Sequence, residues 1–177
     1  QASRPEPALN EALFEREAFF GIVGKSPAMR EVFRGIQRFQ TANQPVLICG
    51  ESGTGKELVA RALHSGSARR DKPLIAVNCA SLKENFVENE LFGHVRGAYT
   101  GAVEAKQGLF TGANGGTLHI DAIAEMPASS QATLLRVLDS GTFRPLGGTE
   151  EIRVDVRIIA ATNRDLEQMA ENGTFRR

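Results

Sequence analysis

The sequence predicts an α/β fold of three layers around a central parallel sheet, and three observations carry that prediction. Four short, nearly continuous apolar runs, PVLICG (45–50), PLIAVNCA (73–80), TLHID (117–121) and VRIIAATN (156–163), have the pattern of strands buried on both faces. Helix-forming segments alternate with them, as parallel strands require for their crossovers. A glycine-rich loop, GESGTGKE (50–57), joins the first run directly to one of those helices.

In chain order, QASRPEPALN (1–10) is polar and proline-bearing and reads as a linker. EALFEREAFF (11–20) is rich in helix formers and reads as a connecting helix, so residues 1–20 are set apart from a main unit over 21–177. An amphipathic helix follows, with Ser26 as N-cap, Pro27 at its first position, and Met29, Val32, Phe33 and Ile36 on one face. KELVARALHSGS (56–67) is helical, and QATLLRVLDSG (131–141) is a further helix, before the fourth strand, stopped by Gly141. RPLGGTEEIRVD (144–155) reads as a hairpin-like insertion. The sequence given breaks off at NGTFRR (172–177), in a helix or its approach, which reads as a partial domain.

Composition narrows the class. At 177 residues with 41% hydrophobic and 24% charged residues, the chain suits one soluble globular domain. Lys plus Arg equals Asp plus Glu, 21 each, so nothing basic marks this segment for nucleic acid. No apolar stretch reaches membrane-spanning length and no signal peptide is visible, so no membrane role is expected. Cys49 and Cys79 end apolar runs and read as small core residues in a reducing compartment, the cytoplasm. His64, His94 and His119 lack metal-ligand spacing, and His119, inside an apolar run, reads as a satisfied core histidine. Arg69, Arg70, Asp71 and Lys72 read as a solvated loop.

The chemistry concentrates in GESGTGKE. It fits G-x-x-x-x-G-K after a strand and before a helix, the context that makes the motif a phosphate cradle. Gly50, Gly53 and Gly55 open backbone conformations in which successive N–H groups converge on phosphate oxygens, and the helix N-terminus adds partial positive charge. Lys56 supplies a mobile cation for the outer phosphates. Glu57 stands where the general motif has a Ser or Thr for magnesium; its carboxylate could reach the metal directly or through water. Asp121 closes the third run, at the sheet edge where such folds bind ligands, and suits Mg²⁺. Asn78 and Asn163 close the second and fourth runs at the same edge, where Asn163 can sense a γ-phosphate or position water.

The stretch ELFGHVRGAYTGA (90–102) closely resembles the GAFTGA loop of bacterial enhancer-binding proteins, the AAA+ ATPases that activate sigma-54 RNA polymerase. The resemblance extends from GIVGKSPAMREVF through GESGTGKELVARALH, VNCASL, GGTLHID, LLRVLDSGTFRPLGG and RIIAATN to GTFR, about residues 21 to 177. It implies a three-layer P-loop NTPase of the AAA+ type, ending here before its helical lid, with ATP and Mg²⁺ as cofactors. Gly50, Glu51, Ser52, Gly53, Thr54, Gly55, Lys56 and Glu57 would form the Walker A loop, where a Glu after the lysine is usual, and Ile22, Val23 and Gly24 would lie near the adenine. Asp121 would be the Walker B magnesium acid, Asn163 the sensor, and Asn78 the partner of the catalytic glutamate in one nucleotide state. Gly97, Ala98, Tyr99, Thr100, Gly101 and Ala102 would cap a loop that touches sigma-54, with 144–155 as a second loop moving with it. Arg176 matches the first arginine of a segment that reaches a neighbour's nucleotide in a hexameric or heptameric ring. DNA contact would belong to a C-terminal domain absent here, and an N-terminal regulatory domain would tie the protein to two-component signalling.

Three departures qualify that picture. Ala122 stands where the family normally carries Glu, so the attacking water loses its orienting acceptor, a loss of ~10²–10⁴ in turnover for a positioned base. Glu125 is expected in the following turn, away from the strand edge, and so not to replace it. Val95 replaces an acid that often follows ELFGH, and the sequence ends before the fifth strand and lid. Two readings result: an AAA+ ATPase remodelling sigma-54 polymerase with impaired hydrolysis, or a regulatory module that holds ATP as a structural ligand. A clamp loader or helicase is disfavoured by GAYTGA.

Overall fold

The computed structural model describes residues 18–176. The chain opens with a two-residue strand, β1 (Ala18–Phe19), which turns at Phe20 and Gly21 into β2 (Ile22–Val23). The connecting helix expected over 11–20 therefore gives way to a strand and turn at its end, while residues 1–17 lie outside the described residues. The physical reason is burial. The turn lets Phe19 and Ile22 both pack on the next helix, with the Phe19 and Phe33 ring centroids 5.2 Å apart.

That helix, α1 (Pro27–Gln40), starts where its cap predicts: Ser26 Oγ accepts the Met29 N–H at 3.2 Å. Phe33 and Ile36 are buried with Met29 beside them, whereas Val32, one position round the helix, is left 37% exposed. β3 (Val46–Cys49) leads into α2 (Lys56–Ser65), and β4 (Leu74–Asn78) runs into a 3₁₀ turn at Cys79–Ser81. Next come α3 (Glu84–Phe92), the short pair β5 (Gly93–His94) and β6 (Lys106–Gln107), and α4 (Leu109–Gly112). β7 (Thr117–Asp121) precedes a 3₁₀ turn at Ile123–Glu125 and α5 (Ala128–Ser140), which Gly141 ends in the left-handed region at φ 67°. β8 (Thr142–Phe143) and β9 (Ile152–Arg153) form the expected hairpin, then β10 (Arg157–Thr162) and α6 (Leu166–Glu171) follow.

The four long strands pair in parallel in the order β3-β10-β7-β4. β10 is buried along its whole length, and its alternating residues feed two cores. Ile158 and Ala160 pack on one face with Leu118, Ile120 and the mutually packed rings of Phe92, Phe110 and Phe143. Ile159 packs on the other with Phe33, Ile36, Ala60 and Leu63. Those two faces make the three layers. β3 is an edge of this sheet, so Leu47 is 48% exposed and Cys49 is exposed, contrary to the expectation that both cysteines are core; Cys79 is buried. Among the described residues no helix is long and apolar enough to cross a membrane.

Polar side chains tie the opposite edge of the sheet, where its strands begin. Arg157, 2% exposed, donates to the carbonyls of Phe39, Gln40 and Leu63, where α1 and α2 present their negative ends. Arg69 is not a solvated side chain, as the sequence suggested. It donates to Asn43 Oδ1, the Gly116 and Asp155 carbonyls and Asp155 Oδ1, pinning its loop to the start of β10. His64 Nδ1 lies 2.9 Å from Thr117 Oγ1. His119 is satisfied as expected, donating Nδ1–H to the Ile159 carbonyl at 3.1 Å.

Burial holds the His64 imidazole below its ordinary value, Arg157's charge acts the same way, and the Lys72 and Arg70 carbonyls oppose them. The unfolded chain therefore protonates His64 more readily than the folded one. The stability this neutral histidine contributes is complete above about pH 6.5 and is lost as pH falls through the depressed folded value. Denaturant unfolding between pH 7 and 5 should show this loss, and His64→Gln should flatten that part of the pH dependence.

Candidate functional site

The loop from Gly50 to Gly55 sits at the edge where the strands end. Its first residue is held in line with the sheet by Gly50 N–H donating to the Thr162 carbonyl at 3.1 Å. Thr54 Oγ donates to the Glu51 carbonyl at 2.8 Å, closing the loop on itself. Gly53 (φ 78°) and Gly55 (φ 90°) take left-handed conformations that a side chain would strain. Gly50 does not; there a Cβ would come within 3.1 Å of Thr54 Oγ1, so its role is room rather than a special dihedral. Gly55 is the N-cap of α2 and offers no side-chain acceptor, which leaves the first amides of this ten-residue helix available to an anion. Lys56 Nζ donates to the carbonyls of Gly50 (2.9 Å) and Glu51 (2.6 Å), so the cation is already folded over the loop it would serve.

A cavity of about 350 Å³ opens beside this loop and brings together Ser52, Lys56, Asn78, Asp121, Glu125 and Asn163. Asn163 Nδ2 donates to Ser52 Oγ at 3.2 Å, linking the end of β10 to the phosphate loop. Asn78 Nδ2 donates to Asp121 Oδ2 at 3.2 Å, while Asp121 Oδ1 accepts the Ala122 N–H at 2.9 Å. Among the described residues no cluster of three His, Cys, Asp or Glu could hold a metal alone. A cation here would rest on Asp121, phosphate oxygens and water, which suits Mg²⁺.

Two expected residues point elsewhere. Glu57 gives its carboxylate to Arg61 at 2.7 Å, one helical turn on, and faces a different cavity. Arg176 donates its backbone N–H to Gln131 Oε1 and borders a cavity against α6, away from the phosphate loop of its own chain. Of the residues expected near adenine, Ile22 is buried on α1 and α2, Val23 is 73% exposed, and Gly24 lies tight on Met29; none lines the phosphate cavity.

One expectation is overturned. Glu125 lines the cavity after all, and its Oε1 lies 2.7 Å from Arg164 Nη2 in an ion pair. The cause is backbone geometry at Ala122, whose φ of 52° and ψ of 45° swing the chain into the 3₁₀ turn closed by Glu125 N–H on the Ala122 carbonyl. Nearby, burial pushes the Cys79 thiol up to about 11, with the charges of Asp121 and then Glu125 adding to it.

The tip of the loop between β5 and β6 is compact. Gly97 N–H donates to the Ala102 carbonyl and Ala102 N–H to the Tyr99 carbonyl. Ala98 is half-buried and Ala102 buried, while Tyr99 and Thr100 face solvent and Gly101 turns at φ 102°. His94, which showed no signal beyond its place before a glycine-bounded loop, anchors the tip. Its Nδ1 lies 2.6 Å from Asn89 Oδ1, its Nε2 2.9 Å from the Glu104 carbonyl, and its ring meets Tyr99 edge-on. The 144–155 segment is bonded to this loop: Leu146 N–H donates to the Gly93 carbonyl and Val95 N–H to the Leu146 carbonyl. Gly147 lies so close to Ala98 that a Cβ would approach to 2.8 Å, and Val95 packs on Gly147 and Gly148.

A four-stranded parallel sheet, a phosphate loop between strand and helix, and an acid and an asparagine ending neighbouring strands define a P-loop NTPase domain of the AAA+ type. Residues 22–177 match the family described as the Sigma-54 interaction domain, and the chain belongs to it. It is 53% identical over 155 residues to the Nif-specific regulatory protein of Azotobacter vinelandii, covering 88% of this chain and 30% of that one. It is 51% identical over 168 residues to the regulatory protein AtoC of Escherichia coli K12, covering 95% of this chain and 36% of that one. Among solved structures it resembles NtrX of Brucella abortus in complex with ATP, at 42% identity and a TM-score of 0.80, over 88% of this chain and 33% of that one. The chain thus spans about a third of the length of the relatives it matches.

Ala122 holds a left-handed conformation that costs a residue with a Cβ about 1 kcal/mol. Ala122→Gly should therefore stabilise the domain by up to about 1 kcal/mol, read as a higher denaturation midpoint at unchanged slope.

Proposed function

We propose that this chain is the ATP-binding motor portion of a sigma-54-dependent transcriptional activator, acting in the cytoplasm. The observation that carries the reading is the shared cavity of Lys56, Asp121 and Asn163 beside an uncapped helix N-terminus. The phosphate-loop amides and Lys56 hold the phosphates, Asp121 holds Mg²⁺ with its waters, and Asn163 reports on the outermost phosphate from the end of β10. ATP supplies the energy of the phosphoanhydride bond; the chain's residues orient it and exclude competing contacts. Ile22, Val23 and Gly24 lie on the adenine side. Glu57 is assigned no metal contact, in keeping with its pairing to Arg61.

Gly97, Ala98, Tyr99, Thr100, Gly101 and Ala102 present the contact to sigma-54, and the bonded 144–155 segment moves with them. The Leu146 hydrogen bonds on both sides of His94 support that coupling. Arg176, facing away from its own cavity, serves a neighbour's nucleotide in a ring of six or seven copies. DNA contact is assigned to another part of a longer protein, since this segment carries no basic excess. Ala122 favours a second reading, in which ATP is held as a structural ligand with hydrolysis impaired.

A fluorescent ATP analogue with Mg²⁺ should bind, and Lys56→Ala should weaken binding about tenfold or more by removing charge-assisted bonds. Ala122→Glu should raise phosphate release by at least about tenfold, toward the ~10²–10⁴ that a positioned base supplies. Unchanged release with binding intact would favour the structural-ligand reading. Thr100→Ala and Tyr99→Ala should abolish capture of sigma-54 in a pull-down while leaving ATP affinity as it is; persistent capture by both variants refutes the loop assignment.

A further inference from the structure

We propose that Glu125, held by Arg164, is the carboxylate that orients the attacking water at this cavity, in place of the acid missing at 122. The inference rests on the ATP reading above and adds a catalytic residue and a positioning residue to it. Asp121 and Glu125 are the two acids that line the cavity. Both oxygens of Asp121 already accept bonds, from Ala122 N–H and Asn78 Nδ2, and its place at the strand end suits the cation. Glu125 uses Oε1 on Arg164, leaves Oε2 without a protein donor among the described residues, and is 37% exposed, so water reaches it.

Arg164 is placed to do this. Its backbone N–H donates to Thr162 Oγ1 and its carbonyl accepts from the same buried hydroxyl, which locks the residue next to Asn163. Asn163 in turn holds Ser52 of the phosphate loop. The phosphate loop, the end of β10 and Glu125 thus form one connected rim, and the left-handed turn at Ala122 carries the acid back to it. The field of Glu125 reaching Cys79, beside that of Asp121, agrees with its lying at this edge.

In the step, a water oxygen bonds to the γ-phosphorus as the bond from that phosphorus to the bridging oxygen breaks. ADP and inorganic phosphate leave, and the water's proton passes to Glu125 and on to solvent. Arg164 keeps the carboxylate pointed at the cavity. Being placed by a turn rather than by the strand end itself, Glu125 works less well than an acid at 122.

The test uses Glu125→Gln and Arg164→Met in this chain and in the A122E background, with phosphate release and equilibrium binding of ATP and ADP. Glu125→Gln should lower residual turnover about tenfold or more in the unaltered chain, and several-fold less in the A122E background. It should also raise the ATP-to-ADP affinity ratio several-fold at unchanged ADP affinity, because a negative charge facing the γ-phosphate is gone. Arg164→Met should lower turnover in the same direction with ADP affinity unchanged. An equal loss in both backgrounds, an unmoved ATP-to-ADP ratio, or binding without any turnover above the uncatalysed rate overturns the assignment of Glu125. Failure of ATP to bind at all would instead remove the nucleotide reading beneath it.

Discussion

Parallel pairing of β10 between β3 and β7 is the constraint on which the rest of the molecule depends. Parallel strands deliver all their C-terminal ends to one edge, so residues far apart in the chain meet there without any local sequence arranging it. Ser52, Asn78, Asp121 and Asn163 become neighbours because four strands run the same way and stay in register. The bond from Gly50 N–H to the Thr162 carbonyl extends that register one residue past β3 into the phosphate loop. A slip of one residue would exchange the two faces of β10 and with them both cores.

The opposite edge is organised by charge. Arg157 and Arg69 gather carbonyls there from the C-terminal ends of α1 and α2 and from the residues leading into β7 and β10. A cavity of about 310 Å³ lies among these groups and serves as a structural joint. All three guanidinium nitrogens of Arg69 and both terminal nitrogens of Arg157 donate to neighbouring acceptors, with Arg157 Nε left without a partner among the described residues. The two edges thus divide the labour: one satisfies its backbone groups internally, and the other leaves helix amides and loop N–H groups open toward an anion.

Between the phosphate cavity and the surface loops runs a continuous packed path. β4 ends in Asn78 at the cavity and passes through a 3₁₀ turn into α3, whose Asn89 meets His94 at the root of the 97–102 tip. His94 also holds Glu104 at the far side of that tip, and the 144–155 segment is bonded on either side of it. Such contiguity is what a motion at the cavity would need to reach Tyr99, because packed elements transmit displacement rather than absorb it.

Much of this was legible in the chain. The four strands, the capped helix at Ser26, the stop at Gly141 and the phosphate loop follow from periodicity, capping chemistry and glycine placement, all of them local. The acid and asparagines at strand ends were equally readable, because their meaning depends only on being last in a parallel strand. What the sequence could not reveal depends on long-range partners. Exposure of Cys49 and Leu47 follows from β3 being an edge, which no apolar run announces. The pinning of Arg69 and the anchoring by His94 come from groups 86 and 10 residues away. The position of Glu125 turns on a left-handed alanine, a conformation the residue type itself disfavours and only the surrounding structure enforces. The sequence by itself determined the fold and the phosphate cradle, since both are written in local periodicity and spacing. The tertiary structure alone decided which acids share the cavity and how the two loops are joined, since those contacts exist only once distant segments are packed.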